Sequence, residues 1–73
     1  MSKLPVCSGR EAVRAFGKIG YVLDHQTGSH MILRHSNGRR LTVPDHRELA
    51  KGTLRALIRD AGLTVEQFEK LLD

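Results

Sequence analysis

Two glycine-bearing turns, Thr27-Gly28 and Asn37-Gly38, cut the middle of this chain into three short runs of strand-forming residues. Tyr21 to Gln26 is the first run, His30 to His35 the second and Arg40 to Val43 the third. Pro44 ends the third, because proline cannot donate to a strand ladder. Asn37-Gly38 suits a type I′ turn, whose twist matches that of the strands it joins. Strands linked this tightly pair antiparallel, since a parallel pair needs a crossover of about a dozen residues or more. The centre of the chain is therefore expected to be a three-stranded meander.

Helical periodicity flanks it. Ser8-Gly9-Arg10-Glu11 has the form of a capping box. Ala12, Val13, Phe16 and Ile19 follow at helical spacing, with Gly20 as the stop. A first helix is expected from Gly9 to Ile19. After a charged loop, Asp45 to Ala50, the stripe Leu54, Leu57, Ile58 and Ala61 marks a second helix. It begins between Leu49 and Gly52 and ends at Gly62. Thr64-Val65-Glu66-Gln67 is another capping box, opening a short third helix with Phe68, Leu71 and Leu72 apolar. Two striped helices and one small sheet have material for a single core. The expected class is α+β, with both main helices on one face of a three-stranded antiparallel sheet and the other face open.

At 73 residues the chain buries only about 60% of its unfolded surface, so its core is small. Tryptophan is absent, and Phe16, Tyr21 and Phe68 are the only aromatics. That is too few for the base-stacking platform of a single-strand binder. The net charge is +4 and unevenly spread. Residues 1–55 hold ten basic and four acidic side chains, whereas 56–73 hold two and four. Such a field draws nucleic acid, an acidic protein or an anionic membrane, although a solvated surface looks the same. Cys7 is the sole cysteine, so no intrachain disulfide forms, as suits a reducing compartment. It is structural or incidental. No apolar run approaches the roughly 20 residues of a membrane span. The N-terminus lacks the apolar core of a signal peptide. A cytoplasmic protein is expected.

Gly28-Ser29-His30, followed by Met31-Ile32-Leu33, sets an imidazole at the mouth of a strand beside a tight turn. With Ser8 to Gly20, Gly20-Tyr21, Thr42-Val43-Pro44-Asp45-His46 and Lys51-Gly52-Thr53-Leu54-Arg55 leading to Ala61-Gly62-Leu63, it completes an ordered set over nearly the whole chain. In that set the sequence resembles HicA, the RNA-cleaving toxin of bacterial toxin–antitoxin pairs. The resemblance implies one domain over residues 1–73 with a fold like the double-stranded-RNA-binding domain. It implies a metal-independent endoribonuclease acting on mRNA, without a cofactor, and inhibition by a HicB-type antitoxin. His30 stands where the family has its catalytic histidine. Two positions depart from the family. Where members often have an arginine near the end of strand one, this chain reads Asp24-His25-Gln26-Thr27, and where many have a second histidine it has Met31.

The chemistry fits those residue types. RNA carries its own nucleophile, the 2′-hydroxyl, so cleavage needs a base, a proton donor for the leaving 5′-oxygen, and positive charge near phosphorus. Imidazole, with an ordinary pKa of about 6.5, suits either proton task near neutral pH. His30 is thus the candidate general base; the alternative is a strand residue bonded to a neighbour. Gly28 lets a phosphate approach the backbone, and Ser29 offers a hydroxyl to a phosphate oxygen. His46, just past Pro44, either orients substrate, donates the second proton or is a solvated loop histidine. His25 and His35 are expected to be exposed strand-end residues. The histidines lack the clustered spacing of a zinc site, so no metal is expected. Lys51, with Gly52 and Thr53, lies near the start of the second helix, where free amides and the dipole attract phosphate, although a basic solvated helix end reads the same; Arg34 and Arg40 add charge on the strands. By alternation His30, Ile32 and Arg34 share one face and Met31, Leu33 and His35 the other. Both sets contain apolar residues, which leaves the core face open. Three functions compete: a ribonuclease toxin, a non-catalytic RNA-binding module of the same fold, and a domain whose basic face docks an acidic protein.

Overall fold

The computed structural model describes residues 3–72. Its elements run α1 (Gly9–Gly17), β1 (Val22–Thr27), β2 (His30–Arg34), β3 (Arg40–Pro44), α2 (Lys51–Asp60) and α3 (Val65–Leu71). The sheet order is β1-β2-β3, with both neighbouring pairs antiparallel. The class is α+β, consistent with a double-stranded-RNA-binding-domain-like fold.

Local chemistry accounts for the helix ends. The Ser8 hydroxyl accepts the Glu11 amide at 3.0 Å, and the Glu11 carboxylate accepts the Ser8 amide at 2.8 Å, closing a full capping box. Thr64 and Gln67 do the same for α3. Helix α1 closes at Gly17, earlier than Ile19, because the Tyr21 amide folds back onto the Phe16 carbonyl at 3.2 Å while Gly20 takes a φ of 100°. Helix α2 stops before Gly62, whose φ is 77°. The Arg39 guanidinium donates to the Asp60 carbonyl at 3.2 Å, satisfying one of the orphan acceptors of that terminus.

Pairing decides the face that periodicity left open. Met31 stands opposite Val43 and Leu33 opposite Leu41, and all four are buried. They pack with Ala12, Ala15 and Phe16 of α1, Leu54, Leu57 and Ile58 of α2, and Phe68 of α3. Phe16 and Phe68, both without exposed surface, meet at 5.1 Å between ring centroids. His30, Ile32 and Arg34 therefore lie on the open face, opposite Pro44, Thr42 and Arg40 respectively. His30 is out on that face at the end of β2.

Two local expectations are corrected. Asn37-Gly38 is not a type I′ turn, which needs positive φ at both central residues. Only glycines have positive φ among the described residues, so Asn37 does not qualify, while Gly38 has a φ of 91°. Instead the Gly38 amide donates to the His35 carbonyl at 2.9 Å and the His35 amide to the Arg39 carbonyl at 3.0 Å. This is a three-residue hairpin loop ending in a left-handed glycine. The Asn37 side chain stabilises it by accepting the Arg39 amide at 2.8 Å. His35 is not an exposed strand-end residue either. It is half-buried against Tyr21, its Nε2 donates to the Ile19 carbonyl at 2.8 Å, and its Nδ1 accepts the Asn37 amide at 3.0 Å. Both nitrogens are engaged, which makes this ring a structural clasp between the end of α1 and the hairpin.

Candidate active site

The chain path gathers several termini at the His30 end of the sheet. β1 ends and β2 begins there, joined by Gly28 and Ser29. β3 ends there, since Pro44 is the partner of His30. The α1 start is pinned alongside by the Gly9 amide, which donates to the His46 carbonyl at 2.9 Å. The segment before α2 is pinned by the Leu49 amide on the Cys7 carbonyl at 2.9 Å, and α2 then runs back toward Arg39 at the opposite end. Both longer helices thus aim their amino termini, the positive ends of their dipoles, at the end of the sheet that carries His30. At α1 the free amides are capped by Ser8; at α2 the N-cap is Ala50, which has no side chain able to do so, and the first turn holds no acid.

The Gly28-Ser29 link is a two-residue hairpin. Gly28 has a φ of 57° and Ser29 a negative one, the signs of a type II′ turn, where glycine leads. A Cβ on Gly28 would meet nothing within 4 Å, so its cost is conformational alone. Gly28→Ala is expected to lower stability by about 1–2 kcal/mol, or roughly 4–8 °C in Tm for each kcal/mol. A thermal melt unchanged from the parent would show that this turn adopts another geometry.

One carboxylate braces the turn. Asp45, just past β3, accepts Arg10 through both oxygens, at 3.2 and 3.3 Å, and Gln26 at 3.4 Å. Its amide donates to the Ser29 carbonyl at 2.6 Å, and Gln26 also donates to the Gly28 carbonyl at 3.0 Å. Asp45 so ties the His30 turn to β3 and to the first turn of α1. The Arg10 hydrogen bonds hold its carboxyl below the usual range. Asp24 is lowered by the His25 ring N–H first and by Arg34, and Glu11 by the Ser8 hydrogen bonds first. A carboxyl depressed in the folded state stabilises above its unfolded pKa and loses that contribution as pH falls through its folded pKa. Stability is therefore expected to fall progressively below about pH 4. Melts recorded from pH 6 to pH 2 that stay flat would contradict it.

His30 itself is exposed, and among the described residues no side chain or backbone group hydrogen-bonds its ring. Ser29 and His46 are likewise exposed. The sequence-derived cations do not form one cluster around the ring. Arg34 and Arg40 face each other across β2 and β3 at the far end of the open face, about four strand residues, or ~13 Å, from His30. Arg34 is also engaged, with its Nε 3.3 Å from Asp24. Lys51 lies at the near end, but on the helix layer. Cys7 is buried, and burial, with Glu11 nearby, pushes its thiol up and away from the reactive thiolate. Among the described residues, no three His, Cys, Asp or Glu side chains come together as a metal site, and no helix is long and apolar enough to cross a membrane.

Set against models of known protein families, the chain matches that of the HicA toxin of bacterial toxin–antitoxin systems over residues 9–63. It belongs to the HicA toxin family. No curated protein matches it. The family matched here spans α1 through the end of α2, and so takes in the Gly28-Ser29-His30 turn, the Asp45 brace and the start of α2. A HicA-family chain is a toxin and implies an antitoxin as its partner.

Sequence reasoning missed one constellation on this surface. Asp24 and His25 are neighbours in β1, and regular alternation would turn them to opposite faces. The register slips between Leu23, opposite Leu33, and His25, opposite Ile32. That bulge leaves Asp24 as the extra residue, with its carboxylate 2.6 Å from His25 Nδ1 and beside Arg34. Nothing in the residue order announces a bulge, so the pair was not visible from spacing.

Proposed function

We propose that this toxin is a metal-independent endoribonuclease that cleaves mRNA in the cytoplasm, with residues 1–73 acting as one domain. His30 is the general base. It takes the proton of a 2′-hydroxyl, whose oxygen attacks the adjacent phosphorus in line with the departing 5′-oxygen. The products are a 2′,3′-cyclic phosphate and a 5′-hydroxyl. Gly28, Ser29 and His46 meet the phosphate at the reacting end, while Lys51, Arg34 and Arg40 hold the flanking backbone. The observation that carries this reading is the unengaged, solvent-facing ring of His30 at the end of the sheet where both helix amino termini converge.

A HicB-type antitoxin neutralises it by covering that open face with acidic side chains. A stable interface takes at least about 600 Å² from each partner. The chain has 4888 Å² in all, so a partner of that footprint seated on the open face would block RNA entry and the imidazole together.

The test is cleavage of a defined RNA by the purified protein in EDTA, with product ends mapped. Cyclic phosphate termini are expected. RNA binding without cutting would favour the non-catalytic module instead, and no affinity even at low salt would favour the protein-docking domain.

A further inference from the structure

The cleavage just described needs a second proton group, and the open face holds one that the family resemblance does not supply. We propose that His25, oriented by Asp24, is the general acid that protonates the leaving 5′-oxygen; this rests on the nuclease reading of His30.

Geometry carries the assignment. His25 stands opposite Ile32, and His30 is two residues along β2 from Ile32 on the same face. The two histidines are therefore diagonal neighbours across an antiparallel pair, with backbones about 7–8 Å apart. Thr27, opposite His30, and Ile32, opposite His25, occupy the other two corners of that patch of the open face. Two rings so placed can flank one phosphodiester, one at each end of an in-line displacement. The His25 side chain is 53% exposed.

The Asp24 carboxylate can only accept, so its 2.6 Å contact fixes the proton of His25 on Nδ1. That leaves Nε2, which has no partner among the described residues, to exchange a proton with substrate. This is the division of labour of a histidine steered by a carboxylate in proton-transfer enzymes. The bulge is what permits it, because it turns two consecutive residues onto one face; bulges recur beside active sites for that reason. Arg34 anchors the same carboxylate from β2. His46, the other histidine at this end, lies near the Asp45 charge but makes no hydrogen bond that fixes its ring among the described residues.

The step balances. The 2′-oxygen bonds to phosphorus as the bond from phosphorus to the 5′-oxygen breaks. The 2′-hydroxyl proton passes to His30, the Nε2 proton of doubly protonated His25 passes to the 5′-oxygen, and both rings re-equilibrate with water. Asp24 is a positioning residue, and His25 is catalytic because it touches the leaving atom.

The experiment compares ordinary RNA with RNA bearing a bridging sulfur in place of the scissile 5′-oxygen, a leaving group that departs without a proton. His25→Ala is expected to slow cleavage of ordinary RNA by about 10²–10⁴-fold and to cut the sulfur substrate at close to the parent rate. His30→Ala should stay slow on both. Asp24→Asn should show a smaller defect of the same kind as His25→Ala. His25→Gln, which keeps the size of the side chain, guards against a folding artefact, and thermal melts of each variant check it. His25 variants slowed equally on both substrates, or not slowed at all while the parent cuts, would overturn the acid assignment and leave His30 untouched. A parent protein that cuts neither substrate would instead bring down the nuclease reading beneath it.

Discussion

His30→Ala should lose about 10²–10⁴-fold in the rate of RNA cleavage while melting with the parent protein. The two halves of that expectation come from the same fact. The ring is exposed and unengaged among the described residues, so its removal breaks no contact and leaves no buried group unsatisfied. Exposed substitutions of that kind fall within about ±0.5 kcal/mol of stability. The loss in rate corresponds to about 2.7–5.4 kcal/mol of transition-state stabilisation, which nothing in the folded state would register. Single-turnover cleavage beside a thermal melt separates the two quantities. A variant that cuts at the parent rate removes His30 from the chemistry. A variant that unfolds would mean that the ring has a structural partner. His30→Gln offers a hydrogen-bonding side chain of similar reach but no basic nitrogen, and should be as slow as alanine. In cells, the same substitution should relieve the growth arrest caused by expression without the antitoxin.

How much of this was legible in the sequence depends on which physical signal each part used. The caps were fully written in it, since Ser8 with Glu11 and Thr64 with Gln67 act over a single turn and need no tertiary context. The strand limits were also near, because Gly28, Gly38 and Pro44 act on their own backbone. The core face of β2 was not, because Ile32 and Leu33 are equally apolar and only pairing distinguishes them. β3 held the clue: Leu41 and Val43 alternate with Arg40 and Thr42, so its buried side was readable. The register that carries that choice across to Met31 and Leu33 was not. The Asn37-Gly38 turn went wrong because the dipeptide fits two hairpin loops, and the three-residue one also engages the Asn37 side chain and the His35 ring. His35 was misplaced for a related reason: its partners are a helix-end carbonyl and a loop amide, distant in sequence or in the turn itself. For the site, residue type and position led to His30, whereas Asp24 with His25 depends on a bulge and the Asp45 brace on contacts across 35 residues.

Gly9→Ala should destabilise the fold by about 2–3 kcal/mol, even though alanine is the better helix former. In an exposed helix the exchange would gain up to about 1 kcal/mol. Here the glycine is buried where α1 begins against the end of β3. A Cβ at this position would overlap the Pro44 carbonyl oxygen and stand 3.0 Å from its carbon and 3.2 Å from the tip of Met31. The methionine tip can swing aside. The carbonyl belongs to the strand backbone, so relief requires α1 and β3 to separate. Overpacking a dense core costs about 1–3 kcal/mol, and a backbone obstacle puts this case at the upper end, outweighing the gain in propensity. Gly17→Ala is the control, since a Cβ there meets nothing within 4 Å and the change should be neutral or stabilising. The loss at Gly9 should also reach the chemistry. The displaced segment carries the His46 carbonyl bound by Gly9 and the Asp45 amide bound to Ser29, so the His30 turn loses part of its support. Cleavage by the Gly9 variant, assayed well below its melting temperature, should therefore be slower than that of the Gly17 variant. Equal stability of the two variants would mean that α1 does not dock on β3 through this contact.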